Sequence, residues 1–478
     1  MRFHTLVLAS ILFVAIAPGP ATAATPSWEH PGFDAEDSYY NPAESVINEG
    51  SVGRLTRRWS VPLRDIEASC SGFSRPLVTG GRAVTTDKLG ISAYSITDGK
   101  PSWKFDWDWP DDNLTPSLAV SDGLLIAANG DCNSQSDPDG QLTALDLATG
   151  KARWKIELDT PVRSVVVDKG VVVISGWSPS DEEVVAGYRA SDGKALWSKA
   201  GWSSSGVSLN GFIMMRKTDG FGVADGGTSA ISVLDGSLRW SRLENWAAEA
   251  AFDGLFYVTD ARGRLLAVDE TDGAVLWSVA GPARSPVADP ASDLGASRGG
   301  GSSSSSSSSD LGVSRGGGPS SDLGVSRGGG PSSDLGVSQG GGPSSDLGVS
   351  QGGGPSSDLG ALRDGGPSSD LGALRDGGPS SDLGRALVAV DGRRIYRASS
   401  RTVEALDVRN GRRVWSARLG EEAGQPVRAG GLVYAGGVVL RASDGKTLRA
   451  AAYGSLIVSG GTVYGVRNSE LVAFSVRR

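Results

Sequence analysis

The 478-residue sequence predicts an all-β protein, an eight-bladed β-propeller of four-stranded antiparallel blades. Three observations carry this expectation. A tryptophan recurs four residues after a turn glycine: SITDGKPSW ends at Trp103, LDLATGKARW at Trp154, RASDGKALW at Trp197, VLDGSLRW at Trp240, DETDGAVLW at Trp277 and DVRNGRRVW at Trp415. Counted from Trp59 to Trp277, the intervals are 44, 51, 43, 43 and 37 residues, the length of one propeller blade. The segments between them read as short apolar or alternating strands closed by Asp-Gly, Asn-Gly or Thr-Gly turns, with no helical period.

Each element follows in order. RSVVVDKG and VVVISG pair across a turn; a loop leads to VVAGYRAS, and KALWSKA carries the indole. This is one four-stranded unit, and its neighbours share the form. The Trp277–Trp415 interval is 138 residues, but it contains a tract of different composition. Between Asp293 and Asp382 the triplet DLG occurs eight times, every twelve residues from Asp310, after eight serines at 302–309. Such a tract offers too few apolar side chains to offset chain entropy, so disorder is expected over 290–384. With it set aside, the interval returns to blade length. LRASDGKTLR adds another unit with Arg449 in the tryptophan position. The C-terminal strands SLIVS, TVYGVR and LVAFSV lack a fourth partner, and RLTRRWSVPL, carrying Trp59, is an unpaired fourth strand. Joining them closes the ring and removes two exposed edges.

Residues 1–23 read as a secretory signal peptide, with an apolar run from Leu6 to Ala17 before Ala21-Thr22-Ala23. A lead-in follows over 24–50, then propeller blades over 51–289 and 385–478, flanking the 290–384 insertion. A monomer outside the cytoplasm, secreted or in the cell envelope, with no membrane span is expected. The formal charge is −8, which disfavours nucleic acid. The only histidines are His4 and His30, which lowers the expectation of hydrolase or zinc chemistry; no catalytic or metal-binding residue is assigned.

Ala144, Asp146, Thr149, Gly150, Lys151 and Trp154 match the pattern Ala-x-Asp-x-x-Thr-Gly-Lys-x-x-Trp. This resembles the tryptophan-docking motif of pyrroloquinoline-quinone-like β-propellers, and YNPAESVINEGSVGRLTRRW resembles the lead-in of that family. The resemblance implies that Trp59, Trp103, Trp154, Trp197, Trp240, Trp277 and Trp415 stack on the next blade's motif and bond its main chain. Relatives in that family include quinone-dependent alcohol and sugar dehydrogenases. The alcohol dehydrogenases use adjacent cysteines, a calcium ion and a catalytic aspartate, and no Cys-Cys occurs here. The chain is also similar to the eight-bladed lipoprotein of outer-membrane protein assembly, without its lipidated cysteine. The expected function is therefore a non-catalytic binding or scaffold module, needing no cofactor, for an envelope or extracellular protein or glycan. The alternative is a dehydrogenase using pyrroloquinoline quinone and calcium.

Two sets of loop residues stand out. Cys70 and Cys132 are expected to form a disulfide between two loops of one blade, on one face of the ring. Trp107, Trp109, Trp177, Trp202 and Trp246 fall in loops of that same face, beside Asp106, Asp108, Asp111 and Asp112, and beside Asp181, Glu182 and Glu183. Aromatics next to carboxylates suit sugar stacking or capture of a cationic peptide, or they cap the blades. Because loop closure entropy grows only logarithmically with length, deleting residues 290–384 should leave the melting temperature nearly unchanged. A scanning-calorimetry comparison with the full chain checks this; a large loss would show that the tract packs on the propeller.

Overall fold

The structure, a computed structural model, describes residues 27–67, 69–133, 138–178, 182–219, 224–281, 387–450 and 454–477, with short backbone pairings between 309 and 358. The signal-peptide residues and most of the insertion lie outside the described residues. Arg284–Ser369 is a unit of its own, whose two- and three-residue strands pair in parallel at the twelve-residue step, as at Ser320↔Ser332. The disorder expected over 290–384 otherwise falls on residues that are not described.

The other unit is the propeller, with eight sheets in ring order. Blade I runs from Leu77–Thr79 to Pro101–Asp106, blade II from Ser117–Ser121 to Ala152–Leu158, and blade III from Val162–Asp168 to Ala195–Ala200. Blade IV runs from Trp202–Ser203 to Leu238–Arg242 and blade V from Trp246–Phe252 to Val275–Val279. Blade VI spans Leu387–Val390 to Arg413–Arg418 and blade VII Val427–Ala429 to Thr447–Ala450. Blade VIII takes three strands from Ser455–Ser459 to Glu470–Val476, and its fourth is Leu55–Pro62, paired antiparallel from Leu55↔Val476 to Pro62↔Glu470. Burial follows position in the blade. The second strand Val171–Gly176 is buried throughout, whereas the outer strand Ala195–Ala200 alternates and faces solvent.

The seams between blades repeat one contact. The Trp103 indole Nε1 donates to the Leu147 carbonyl at 2.9 Å, and its ring lies against Gly150, whose φ is 71°. A Cβ at Gly150 would fall 2.5 Å from that ring, so the left-handed turn and the close approach both require glycine. The same bond runs from Trp59 to Ile96, Trp154 to Ala190, Trp197 to Val233, Trp240 to Glu270, Trp277 to Val408 and Trp415 to Ala442. A β-bulge just before each indole turns it out of its own sheet, as between Ala152 and Trp154. Trp103, Trp240 and Trp415 are buried; Trp59, Trp154, Trp197 and Trp277 are half-buried, because their outer edges reach the rim. The eighth seam keeps the bulge but not the indole: Arg449 Nη1 donates to the carbonyls of Val52, at 2.9 Å, and Leu55, at 3.2 Å.

The lead-in does more than approach the first blade. Trp28 exchanges backbone bonds with Val78 of blade I, and the Glu29 carbonyl accepts from Val120 of blade II. Ala35 packs on the blade III core and accepts from Ser208 of blade IV; Glu36 accepts from Ala251 of blade V and Ser38 from Val390 of blade VI. Tyr40–Asn41 pairs in parallel with Arg428–Ala429 of blade VII, and Asn41 Nδ2 donates to Val458 of blade VIII at 2.8 Å. Residues 28–41 thus circle the inner rim in blade order, next to the turns joining first and second strands. This strap satisfies backbone groups on first strands, which have no inner neighbour there.

The strap also carries strongly perturbed ionisable groups. Asp34 is pushed up to about 8, by burial first and then by the Glu36 carboxylate, although Ser38 donates to it from N and Oγ. Glu36 is raised too, with burial again the main cause and with Asp168, Lys169 and Glu270 around it. Burial lowers His30 to about 4.

Two predictions follow from the seams and the strap. Trp103→Ala should cost roughly 3–5 kcal/mol, the loss expected of a truncated buried aromatic, whereas Arg449→Ala should cost about 1–2 kcal/mol. Equal losses in urea unfolding would show that the seams do not depend on the indole. The pH dependence has a definite sign. His30, depressed on folding, stabilises above its unfolded value of 6.5, a contribution lost as pH falls through 4. Asp34, raised on folding, stabilises fully below 3.8, a contribution lost as pH rises through about 8. Between 6.5 and 8 the acid dominates, so the melting temperature should fall as pH rises, and Asp34→Asn should flatten that slope. An unchanged slope in the variant would refute it.

Candidate functional site

The face opposite the strap carries the loops that enter first strands and those that join second to third strands. Its best-defined feature is the turn Pro110–Asp112, which follows Trp109 between blades I and II. Proline at the first helical position fixes φ where no amide partner is needed. Ser69 Oγ donates to the Pro110 carbonyl at 2.9 Å, and Asn133 Nδ2 donates to the Asp111 carbonyl at 2.7 Å. The Asp112 carboxylate accepts the amides of Cys132 and Asn133, at 3.1 and 2.7 Å. Buried Asn113 donates to the Trp109 carbonyl at 2.6 Å and accepts from Asn129 and Gln141.

Cys70 and Cys132 form a disulfide, with Cα atoms 6.6 Å apart. The expectation that both belong to one blade is corrected. Cys70 precedes the first strand of blade I, and Cys132 follows the second strand of blade II, Leu124–Gly130. The bridge therefore crosses a seam, and both sulfurs lie against the Asp111 carbonyl, at 3.4 Å from Cys70 and 3.6 Å from Cys132. In the loop-entropy model a closure of this length contributes about 4 kcal/mol. Locally it clamps the two loops that hold the Trp109 turn.

The structure sorts the five face tryptophans by exposure. Trp109 is 74% exposed. Trp107 is buried edge-on against Phe105, with ring centroids 5.0 Å apart, and Trp246 is buried in the core of blades IV and V. Trp177 and Trp202 are half-buried. The bland expectation, that indoles cap the blades, describes Trp107 and Trp246. Their burial was not legible because loop position alone does not say which way a side chain turns. Among the acids, Asp108 and Asp111 are exposed beside Trp109, Asp112 is spent on the turn, and Asp106 pairs with Arg64. Glu182 is exposed; Glu183 is buried, and that burial raises its pKa; Asp181 lies outside the described residues.

A cavity of about 270 Å³ on the strap side, lined by Tyr40, Glu44 and Arg428, is chemically self-satisfied. The Glu44 carboxylate accepts the amides of Val46, Ile47 and Gly461, and Arg428 is paired with Asp391 at 2.8 Å. Among the described residues no group of three or more His, Cys, Asp or Glu side chains is placed to hold a metal ion. The residues also do not fit the quinone and calcium of the dehydrogenases, since the cysteines are bonded 62 positions apart.

Comparison with known proteins follows the same lines. The family model described as outer membrane protein assembly factor BamB matches residues 56–164, 90–244 and 373–478. The BamB of Moranella endobia is 22% identical over 242 residues, covering 46% of this chain and 58% of the relative. That of Yersinia pestis is 24% identical over 210 residues, covering 41% and 50%. The chain thus spans only about half the length of these relatives. The quinohemoprotein alcohol dehydrogenase of Comamonas testosteroni superposes with a TM-score of 0.55 at 13% identity, over 95% of this chain and 81% of that one. At that identity the likeness shows the fold alone.

Proposed function

The chain belongs to the BamB family of β-propellers, and from that premise we propose that it is an exported, non-catalytic scaffold that docks a protein or glycan of the cell envelope on its loop face. The observation that carries this reading is Trp109, 74% exposed on a turn braced by the seam disulfide and flanked by Asp108 and Asp111. A large exposed indole on rigid backbone loses little entropy when it is covered, which is what a binding hot spot requires. The carboxylates beside it favour a cationic peptide or a hydroxyl-rich sugar. The disulfide and the family likeness support a place in the envelope. The strap along the opposite rim leaves the loop face as the open one.

Glycan-array and cationic-peptide screens of the full chain test this. Trp109→Ala should weaken a bound ligand at least tenfold, in line with loss of an aromatic hot spot of ~2 kcal/mol, with no change in melting temperature. A ligand bound equally well by the variant would move the docking site elsewhere. Dye reduction with alcohols or aldoses after addition of calcium and pyrroloquinoline quinone would replace the scaffold reading with the dehydrogenase.

A further inference from the structure

Arg163 is out of balance with its surroundings. It follows Pro161 and Val162 at the start of the inner strand of blade III, where the register slips from Val162↔Gly176 to Ser164↔Ser175. The bulge leaves Arg163 outside the ladder and sets it beside Trp177, which follows the second strand, Val171–Gly176. Its guanidinium carbon lies 5.7 Å from the centre of the Trp177 ring, and Nε donates to the Trp177 carbonyl at a long 3.4 Å. The side chain is half-buried, and desolvation alone lowers its pKa.

Among the other partly buried arginines described, Arg75 over the Tyr39 ring also has no carboxylate and donates only to the Pro31 carbonyl, whereas several others are ion-paired. Arg64 is paired with Asp87 and Asp106, Arg397 with Glu404, and Arg428 with Asp391. Arg449 and Arg242 each donate to two main-chain carbonyls across a seam. Among the described residues Arg163 has no carboxylate partner, and both Nη groups lack an acceptor. Trp177 Nε1 is likewise buried without one. Taking a cation out of water without pairing it destabilises the fold, and arginine presents a planar fork matched to a two-oxygen anion. The deficit is of acceptors, in a protein whose net charge is −8.

We propose that Arg163, stacked on Trp177, is a receptor for a carboxylate group of a ligand on the loop face, bound through the two free Nη groups. This site is separate from the Trp109 surface and does not rest on it. The carboxylate comes from a peptide, as an acidic side chain or as a chain terminus, and the two sources can be told apart. Indole N–H resonances of the full ¹⁵N-labelled chain, with Trp177 assigned by Trp177→Phe, are followed while three probes are added separately. N-acetylglutamic acid amide presents the side-chain carboxylate, N-acetylalanine the terminal one, and N-acetylglutamine amide is the neutral control. A saturable shift of Trp177 with at least one acid, at a Kd on the order of 1–10 mM, and none with the control is the expected result. Arg163→Met, which keeps the stem, should abolish the shift with an unchanged or raised melting temperature. Arg163→Lys, which keeps the charge but loses the fork, should weaken binding several-fold, and Trp109→Ala should leave it unchanged. No saturable shift with either acid up to ~50 mM, or a shift that survives Arg163→Met, overturns the proposal. So does an equal response to the neutral control.

Discussion

The ring depends on one contact made seven times: an indole laid on a left-handed glycine of the next blade, its N–H bonded to the carbonyl three residues before that glycine. Neither half works alone. The glycine lets the ring approach to a distance no Cβ would allow, and the carbonyl satisfies a donor that burial would otherwise penalise. The bulge before each indole completes the device, since a regular strand would leave that side chain on its own sheet. Blade geometry, interval length and turn sequence are all consequences of placing one tryptophan against one turn.

The eighth seam shows what the device supplies. Its receiving turn cannot exist, because the outer strand of blade VIII, Leu55–Pro62, is not joined by a turn to the inner three. The short turn Val52–Arg54 stands there instead and offers carbonyls, while its Gly53 is neither left-handed nor packed under a side chain. Arginine suits such a site: it reaches farther than an indole, and its several donors can take two carbonyls at once. The strap then ties this seam to the rest, since residues 28–41 bond blades I and II and blades IV through VIII, and pack on blade III.

Much of this was legible in the sequence, for a physical reason. The tryptophans and turn glycines recur blade after blade, four residues apart in each unit from Trp103 to Trp415, because the contact they make is identical, and identical contacts leave a repeat. Arg449 stood out as the position where the period broke. The Cys70–Cys132 pairing could be read from loop position, and so could its two blades, since Cys70 falls in the unit ending at Trp103 and Cys132 in the next, ending at Trp154. The strap left no period. Its bonds are mostly main-chain, so Glu29, Ala35, Glu36 and Ser38 take their places without any side-chain pattern. Arg163 was silent for the same reason, since a bulge and a missing partner are properties of the fold.

The two faces of the ring therefore differ in kind. On one, the docking turns and the strap use glycines, carbonyls and amides in fixed contacts, and substitution there acts on stability. On the other, no repeated contact is imposed, and the loops differ from blade to blade. This second face carries an exposed indole held by a cross-seam disulfide, free carboxylates at Asp108 and Asp111, and a guanidinium without an anion. Each of these opposes folding or gains nothing from it. A rigid ring can carry such groups because the seams supply the stability that they do not, and the ligand's chemistry is then set by loops the fold leaves free.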